Sequence, residues 1–229
     1  MTAHYTYDPS RFDVESMVHA QEIILTDEAN LDTAYRWETE GPYLDREFFS
    51  KFNLNEHSKV LDYGCGIGRL SKLLIQKYGC WVIGADISPS MRALSMNYVN
   101  SDRFAVTHPN FLMHTDLQCD LALSIWVLQH CLYPKEDIEN IKRNMKDDGQ
   151  LFVVNNIRRV VPITTHFDGK PNWGDDKINM KELLAEHFTV ETINKLDPAV
   201  VTEDAARRTF VGTYRYDSKI QESKNGRGD

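Results

Sequence analysis

Two carboxylates and a run of glycines mark the chemistry most plainly written in this chain. In Val60-Leu61-Asp62-Tyr63-Gly64-Cys65-Gly66-Ile67-Gly68-Arg69 an apolar strand runs into a glycine turn and then a helix. Glycines there let the backbone turn sharply and let a ligand approach closely. Asp62 puts a carboxylate before the first glycine, where it favours a ligand cation and repels a pyrophosphate. Asp86 ends the next apolar run, where an acid accepts hydrogen bonds from ribose hydroxyls in nucleoside-binding α/β folds. An ammonium at one end and a ribose diol at the other describe an adenosyl amino acid. The dinucleotide pattern G-x-G-x-x-G fails, because Arg69 stands where its third glycine belongs, and this argues against a nicotinamide cofactor.

A candidate general base lies further along. Leu121 to Val127 suits a strand buried on both faces; it ends near Ile125, so Trp126 to His130 leave the sheet at the ligand crevice. His130 is the candidate, since an imidazole of ordinary pKa ~6.5 takes a proton from a hydroxyl or ammonium near neutral pH. The plainer alternative is a histidine that caps the turn before Pro134. The same layout makes Ile125 and Gln129 candidates for contact with the ligand. Arg36, in Tyr35-Arg36-Trp37, is a candidate partner for a carboxylate. Trp37, Tyr43, Phe48 and Phe49 read as the packing of a helix onto the sheet. Asn155, Asn156, Arg158 and Arg159 follow the fifth strand, and a solvated polar loop explains them as well as function does.

The elements that must hold these residues alternate short apolar runs with helical patterns from Lys59 to about Tyr216, the signature of β-α units and a mainly parallel sheet. Leu70, Leu73, Leu74 and Tyr78 recur at helical spacing until Gly79 supplies a stop. Cys80 to Ala85 is a second strand, and Ser88-Pro89 an N-cap followed by a proline in the first helical position. Arg103 to Thr107, Leu121 to Val127 and Leu151 to Val154 are the third to fifth strands, with a helix over Lys135 to Met145. Pro162, Gly169, Pro171 and Gly174 make Ile157 to Ile178 an irregular insertion before a helix at Met180 to His187. Val190 to Leu196 and Thr209 to Tyr216 form an antiparallel hairpin at one sheet edge. The expected fold is a doubly wound, mainly parallel seven-stranded α/β sheet. Residues 1–53 are an N-terminal helical segment or lid, 54–216 the ligand-binding domain and 217–229 a tail.

Composition narrows the function. At 229 residues and 41% hydrophobic content the chain can bury one sizeable core. A net charge of -8 argues against nucleic acid as a partner, because phosphate neutralisation needs a basic surface. Residues 1–50 hold eleven of the 34 acids and three of the 26 basic residues, so the excess charge lies in the N-terminal segment. That acidity predicts a lid biasing the entrance towards neutral or cationic acceptors, with a merely solvated acidic surface as the alternative. No run approaches the ~20 apolar residues of a membrane span and Met1 to Arg11 is polar, so a cytoplasmic protein is expected. Cys65, Cys80, Cys119 and Cys131 form no C-x-x-C pair, which suits reduced thiols and no metal site.

Leu61-Asp62-Tyr63-Gly64-Cys65-Gly66-Ile67-Gly68, Asp86-Ile87-Ser88-Pro89-Ser90-Met91 and Asp120-Leu121-Ala122-Leu123-Ser124 resemble class I S-adenosylmethionine-dependent methyltransferases, closest to their small-molecule group. The resemblance runs in register from Lys59 to Asn155. It implies that Gly64, Gly66 and Gly68 surround the methionine portion of S-adenosylmethionine, with Cys65 contributing through its backbone, that Asp62 orients its ammonium and that Asp86 holds the ribose. It also implies that Ile87 and Met91 flank the adenosine, with Asn110 and Phe111 near the adenine. His108-Pro109-Asn110-Phe111 departs from the acid and small residue that family members often carry there. The expected activity is methylation of a small acceptor on oxygen, nitrogen or carbon. The alternatives are a macromolecular methyltransferase and a non-catalytic binding module. The Asn-Pro-Pro-aromatic segment of adenine- and cytosine-amino enzymes is replaced by Ile125-Trp126-Val127-Leu128-Gln129, which lowers the nucleic-acid reading.

Overall fold

Helices α1 (Met17–Ile24) and α2 (Thr33–Glu47) precede a repeating unit of strand and helix. That unit runs β1 (Lys59–Tyr63), α3 (Arg69–Tyr78), β2 (Trp81–Ala85), α4 (Pro89–Val99), β3 (Phe104–Thr107), β4 (Cys119–Ile125), α5 (Pro134–Arg143) and β5 (Met145–Asn156). A hairpin of β6 (Arg158–Thr165) and β7 (Pro171–Asn179) follows, then α6 (Met180–His187), β8 (Thr189–Asn194), α7 (Glu203–Arg208) and β9 (Thr209–Arg215). This computed structural model describes residues 9–27, 31–165 and 171–218. Most of the expected tail, two stretches of the lid and Gly169 of the insertion lie outside the described residues.

Seven strands form one sheet in the order β3-β2-β1-β4-β5-β9-β8. β1 to β5 are parallel, while β9 runs antiparallel to both of its neighbours, β5 and the outermost β8. The order reverses between β1 and β4, and a crevice at such a switch point beyond the strand C-termini is where α/β sheets take ligands. β1 is buried from Val60 onwards, and its side chains alternate between two cores. Val60 joins Leu44, Leu70, Leu74 and Ala205 on one face, and Leu61 and Tyr63 join Ile138, Ile141 and Leu184 on the other.

Local chemistry ends and starts the helices where it should. Gly79 caps α3 with φ 71°, a left-handed conformation glycine adopts without a Cβ penalty. Ser88 accepts a hydrogen bond from the Met91 N–H with Pro89 at the first helical position of α4. The rings of Phe48, Phe49 and Phe52 stand 5.2, 5.3 and 6.0 Å from that of Phe152, so aromatic packing does fix the end of α2 to the sheet. Trp37 packs elsewhere, edge-on to Tyr98 and against the Arg69 guanidinium.

The insertion is the main departure from expectation. Residues 158–165 and 171–179 pair as an antiparallel ribbon, with register shifts between Arg158 and Val160 and between Pro162 and Thr164. In a two-stranded ribbon every strand is an edge, so Pro162 and Pro171 forfeit little by lacking an N–H, and the bulges absorb the irregular spacing. β5 is longer than the expected Leu151 to Val154, and its start takes in Asp147-Asp148-Gly149, where Asp148 has φ 63°.

Candidate active site

Gly64, Gly66 and Gly68 all have positive φ, at 77°, 54° and 80°. The Gly64 and Cys65 N–H groups both donate to the Ala85 carbonyl, which folds the turn back over the end of β2. A Cβ on Gly64 would come within 2.1 Å of Val127 Cγ2, and one on Gly66 within 2.7 Å of Ile24 Cδ1. The turn is therefore roofed at glycine distance by the β4 exit on one side and by α1 on the other. The Cys65 Sγ is buried beneath it and would meet a Cβ on Gly84 at 2.7 Å, so its part is packing. Burial pushes its thiol pKa well up, the reverse of what a nucleophile needs.

Asp86 is buried at the lip of the turn, where Oδ2 accepts from the Gly66 N–H at 2.8 Å and Oδ1 from the Ser88 N–H at 2.9 Å. A carboxylate has about four lone-pair sites, so each oxygen keeps one for a ligand hydroxyl. Burial raises its pKa, partly offset by those two backbone donors. Asp62 lies behind the turn, outside the cavity lining, where its Oδ2 accepts from the Ser71 hydroxyl at 2.6 Å. Burial pushes its pKa up to about 6, so folding is favoured by its protonation and this contribution is lost as pH rises through that value.

One cavity of about 1460 Å³ opens over the β1/β4 switch point. Gly64, Gly66, Asp86, Ile87, Met91, Asn110, Ile125, Gln129, His130 and Arg36 all line it. Cys65, Gly68 and Phe111 do not. Gly68 caps α3 behind the turn, and Phe111 is 63% exposed because the 3₁₀ turn Pro109–His114 directs Leu112 inwards instead. The N-terminal segment covers the same opening. The Asp13 carboxylate accepts from the Ser88 hydroxyl at 2.6 Å, the Val14 N–H donates to Ser90 Oγ, and Val14 and Ala20 pack with Ile67 and Met91.

His130 and Gln129 form a closed network. The Gln129 carbonyl accepts from the Asn156 N–H at 2.6 Å, which directs its amide nitrogen at His130 Nε2, 3.0 Å away. His130 Nδ1 faces the Val160 carbonyl at 3.1 Å and must donate to it, so Nε2 is the acceptor. Burial pulls its pKa below the ordinary imidazole range, which favours the neutral ring. The lone pair that a general base would use is thus engaged by Gln129.

Arg36 is buried; its Nη1 donates to the Thr26 carbonyl at 2.6 Å and its Nη2 stands 3.5 Å from Glu40. Glu40, 1% exposed, also accepts from Arg69 at 2.7 Å and from the Trp126 indole at 3.3 Å. Trp126 has φ 63°, rare for a bulky residue. Sequence reasoning did not single out Glu40, and its one local signal is its place four residues after Arg36 on a helix.

A mainly parallel sheet of this order, with a glycine turn and a buried acid at its switch point, has the class I methyltransferase architecture. Residues 37–190 match the methyltransferase domain family, and the chain belongs to it. It is 45% identical to a 53-residue stretch of phosphoethanolamine N-methyltransferase 1 from Zea mays, covering 23% of this chain and 11% of that protein. It is 26% identical to the mitochondrial ubiquinone biosynthesis O-methyltransferase of Dictyostelium discoideum, over 48% of this chain and 44% of that one. The matched parts therefore span less than half of either relative.

Among solved structures, an S-adenosylmethionine-dependent methyltransferase from Methanosarcina mazei superposes with a TM-score of 0.58 at 19% identity, covering 75% of this chain and 97% of that one. A protein from Pyrococcus horikoshii OT3 does so with a TM-score of 0.60 at 21% identity, covering 86% and 96%. The [4+2]-cyclase SpnF matches at 0.59 and 16% identity over 85% and 86%, so at this level likeness speaks for fold alone. The chain carries a methyltransferase domain, and the cofactor that this family implies is S-adenosylmethionine. The free lone pairs of Asp86 and the bare Cα atoms of Gly64 and Gly66 fit that cofactor. Among the described residues no helix is long and apolar enough to cross a membrane.

Proposed function

We propose that this methyltransferase acts on a small molecule enclosed between the N-terminal segment, the β4 exit and the end of β5. The observation that carries this reading is the cavity volume of about 1460 Å³, beyond the ~300–1,000 Å³ of single-ligand pockets, which leaves room for an acceptor beside the cofactor. Both relatives described above are also named for small acceptors. S-adenosylmethionine supplies an electrophilic methyl group on a sulfonium. The chain's part is to hold ribose at Asp86, to keep water out with Val14, Ile24 and Met91, and to align the acceptor along the methyl axis. The first test incubates the protein with methyl-labelled cofactor and a cell extract. Label in the small-molecule fraction supports the reading, and label confined to protein or nucleic acid overturns it.

Cofactor binding has its own expected result. Asp86→Ala removes a charged acceptor and is expected to weaken S-adenosylhomocysteine binding by about 1.5–3 kcal/mol in calorimetry. Unchanged affinity would move the ribose site away from β2. His130 is read as a wall residue that orients the β4 exit through Gln129 and Val160, with no proton passing through it. His130→Ala is therefore expected to lower the methylation rate by less than ~10-fold and to leave its pH profile unchanged, whereas loss of a general base costs ~10²–10⁴. A fall of the larger size, together with loss of the acid limb of the profile, would restore the base role.

A further inference from the structure

We infer that the acceptor carries an anionic group, a carboxylate or a phosphate, held at the end of β5 by Arg208 and Arg158. This rests on the methyltransferase reading and specifies the acceptor side of that site. The cavity passes beyond the cofactor turn to Asn156 and Arg208, and both residues also line an adjoining basin of about 190 Å³. Arg158, Asp175 and Arg207 complete the basin with Ile157, so three arginines and one aspartate line it. The Ile157 N–H donates to the Arg208 carbonyl at 2.7 Å, and Asn156 pairs with Thr209 in the sheet, which fixes Arg208 beside the strand end.

The pairing of these arginines leaves them available. Arg208 meets Asp204 at 2.6 Å and Arg207 meets Glu203 at 3.4 Å, but all four side chains are between 63% and 79% exposed. Such solvent-facing pairs are weak, so turning a guanidinium towards a ligand costs little. Arg158 donates through Nη1 to the Lys177 carbonyl at 3.0 Å and has further N–H donors of its five. The remaining carboxylates of the cavity lie apart from this end. Asp86 is at β2, Glu136, Asp137 and Glu139 are on α5, and Glu22 is on α1. Among the described residues Glu22 is also the one acid of residues 1–50 that lines the cavity. Asp13 accepts instead from the Ser88 hydroxyl, Asp32 caps α2, and Glu40 and Asp45 are held in ion pairs. The acidic N-terminal segment therefore does not make the acceptor end attractive to cations.

Geometry also sets the acceptor's length. Neighbouring strands lie ~4.8 Å apart and Arg208 precedes β9, three strands from β1, so its backbone lies roughly 14 Å from the β1 turn. An acceptor with its nucleophile near the turn and its anion at Arg208 spans roughly that distance. The β6–β7 hairpin gains a role as well, since it supplies Arg158 and Asp175.

The test titrates inorganic phosphate and, separately, benzoate into the full chain saturated with S-adenosylhomocysteine, with benzamide as the uncharged control. Saturable binding of either anion is expected, and the stronger of the two indicates the acceptor's own group. The Arg158→Gln/Arg208→Gln variant is expected to weaken that binding ~10-fold or more, as charge-assisted hydrogen bonds require. Arg208→Gln alone repeats the comparison if the double variant melts early. Binding of neither anion, binding unaffected by the substitutions, or benzamide binding as tightly as benzoate would each overturn the inference. A parent protein that fails to bind S-adenosylhomocysteine counts instead against the methyltransferase reading.

Discussion

Gly64→Ala is expected to destabilise the protein by about 2–5 kcal/mol and to abolish cofactor binding at ordinary concentrations. Two separate costs add. The φ of 77° places an L-residue in the left-handed region, which costs about 1–2 kcal/mol. The new methyl group would also meet Val127 Cγ2, Cγ1 and Cβ at 2.1, 2.6 and 2.8 Å. Valine is stiff at χ1 and cannot swing away, so the β4 exit itself must move, an overpacking cost of about 1–3 kcal/mol. Movement there displaces Ile125, Gln129 and His130 from the cavity wall. Denaturant titration and calorimetry with S-adenosylhomocysteine measure the two effects. Gly64→Ala/Val127→Gly separates them, because it relieves the collision and leaves the backbone strain. A single variant as stable as the parent would show that the turn has slack the close contact denies.

Where structure is set by neighbours in sequence, it was legible. Ser88-Pro89 announces the start of α4 because a serine oxygen and a proline ring act within one turn, and Gly79 ends α3 for an equally local reason. The glycine turn and Asp86 were legible because strand, turn and acid recur in a fixed order. The β6–β7 ribbon was hidden, since its prolines and glycines read as loop signals and only pairing across the hairpin makes them strand. The bonding of His130 was hidden because its partner on Nδ1 is thirty residues away in that same ribbon. The lid's acids looked like a charged entrance because composition cannot show that Asp13 faces Ser88 or that Asp45 faces Lys77 and Tyr78. Phe111 followed from an alignment of types, but in a 3₁₀ turn one residue of offset exchanges inside for outside.

The Glu40 network is the extreme case of such hidden pairing, since its partners Arg69 and Trp126 lie 29 and 86 residues away. Glu40→Ala is expected to cost about 3–5 kcal/mol, the scale for removing one partner of a buried ion pair. Glu40, Arg36 and Arg69 are 1%, 3% and 9% exposed, so the two guanidiniums would stay buried without the carboxylate that offsets their desolvation. Trp126 would lose its indole acceptor as well. Its left-handed backbone stores about 1–3 kcal/mol of strain that surrounding contacts must hold. Relaxation at Trp126 carries Val127 off Gly64, so cofactor affinity is expected to fall with stability. Glu40→Gln keeps an acceptor for the indole and one guanidinium while removing the charge, and an intermediate loss is expected. Replacing Glu40 and Arg69 together by leucine and methionine removes the charge imbalance at one pair. That variant is expected to recover part of the stability lost by Glu40→Ala, as apolar replacements of buried ion pairs often do. Urea denaturation of the three variants checks the order, and a Glu40→Ala loss below ~1 kcal/mol would mean that water screens the network as it does a surface pair.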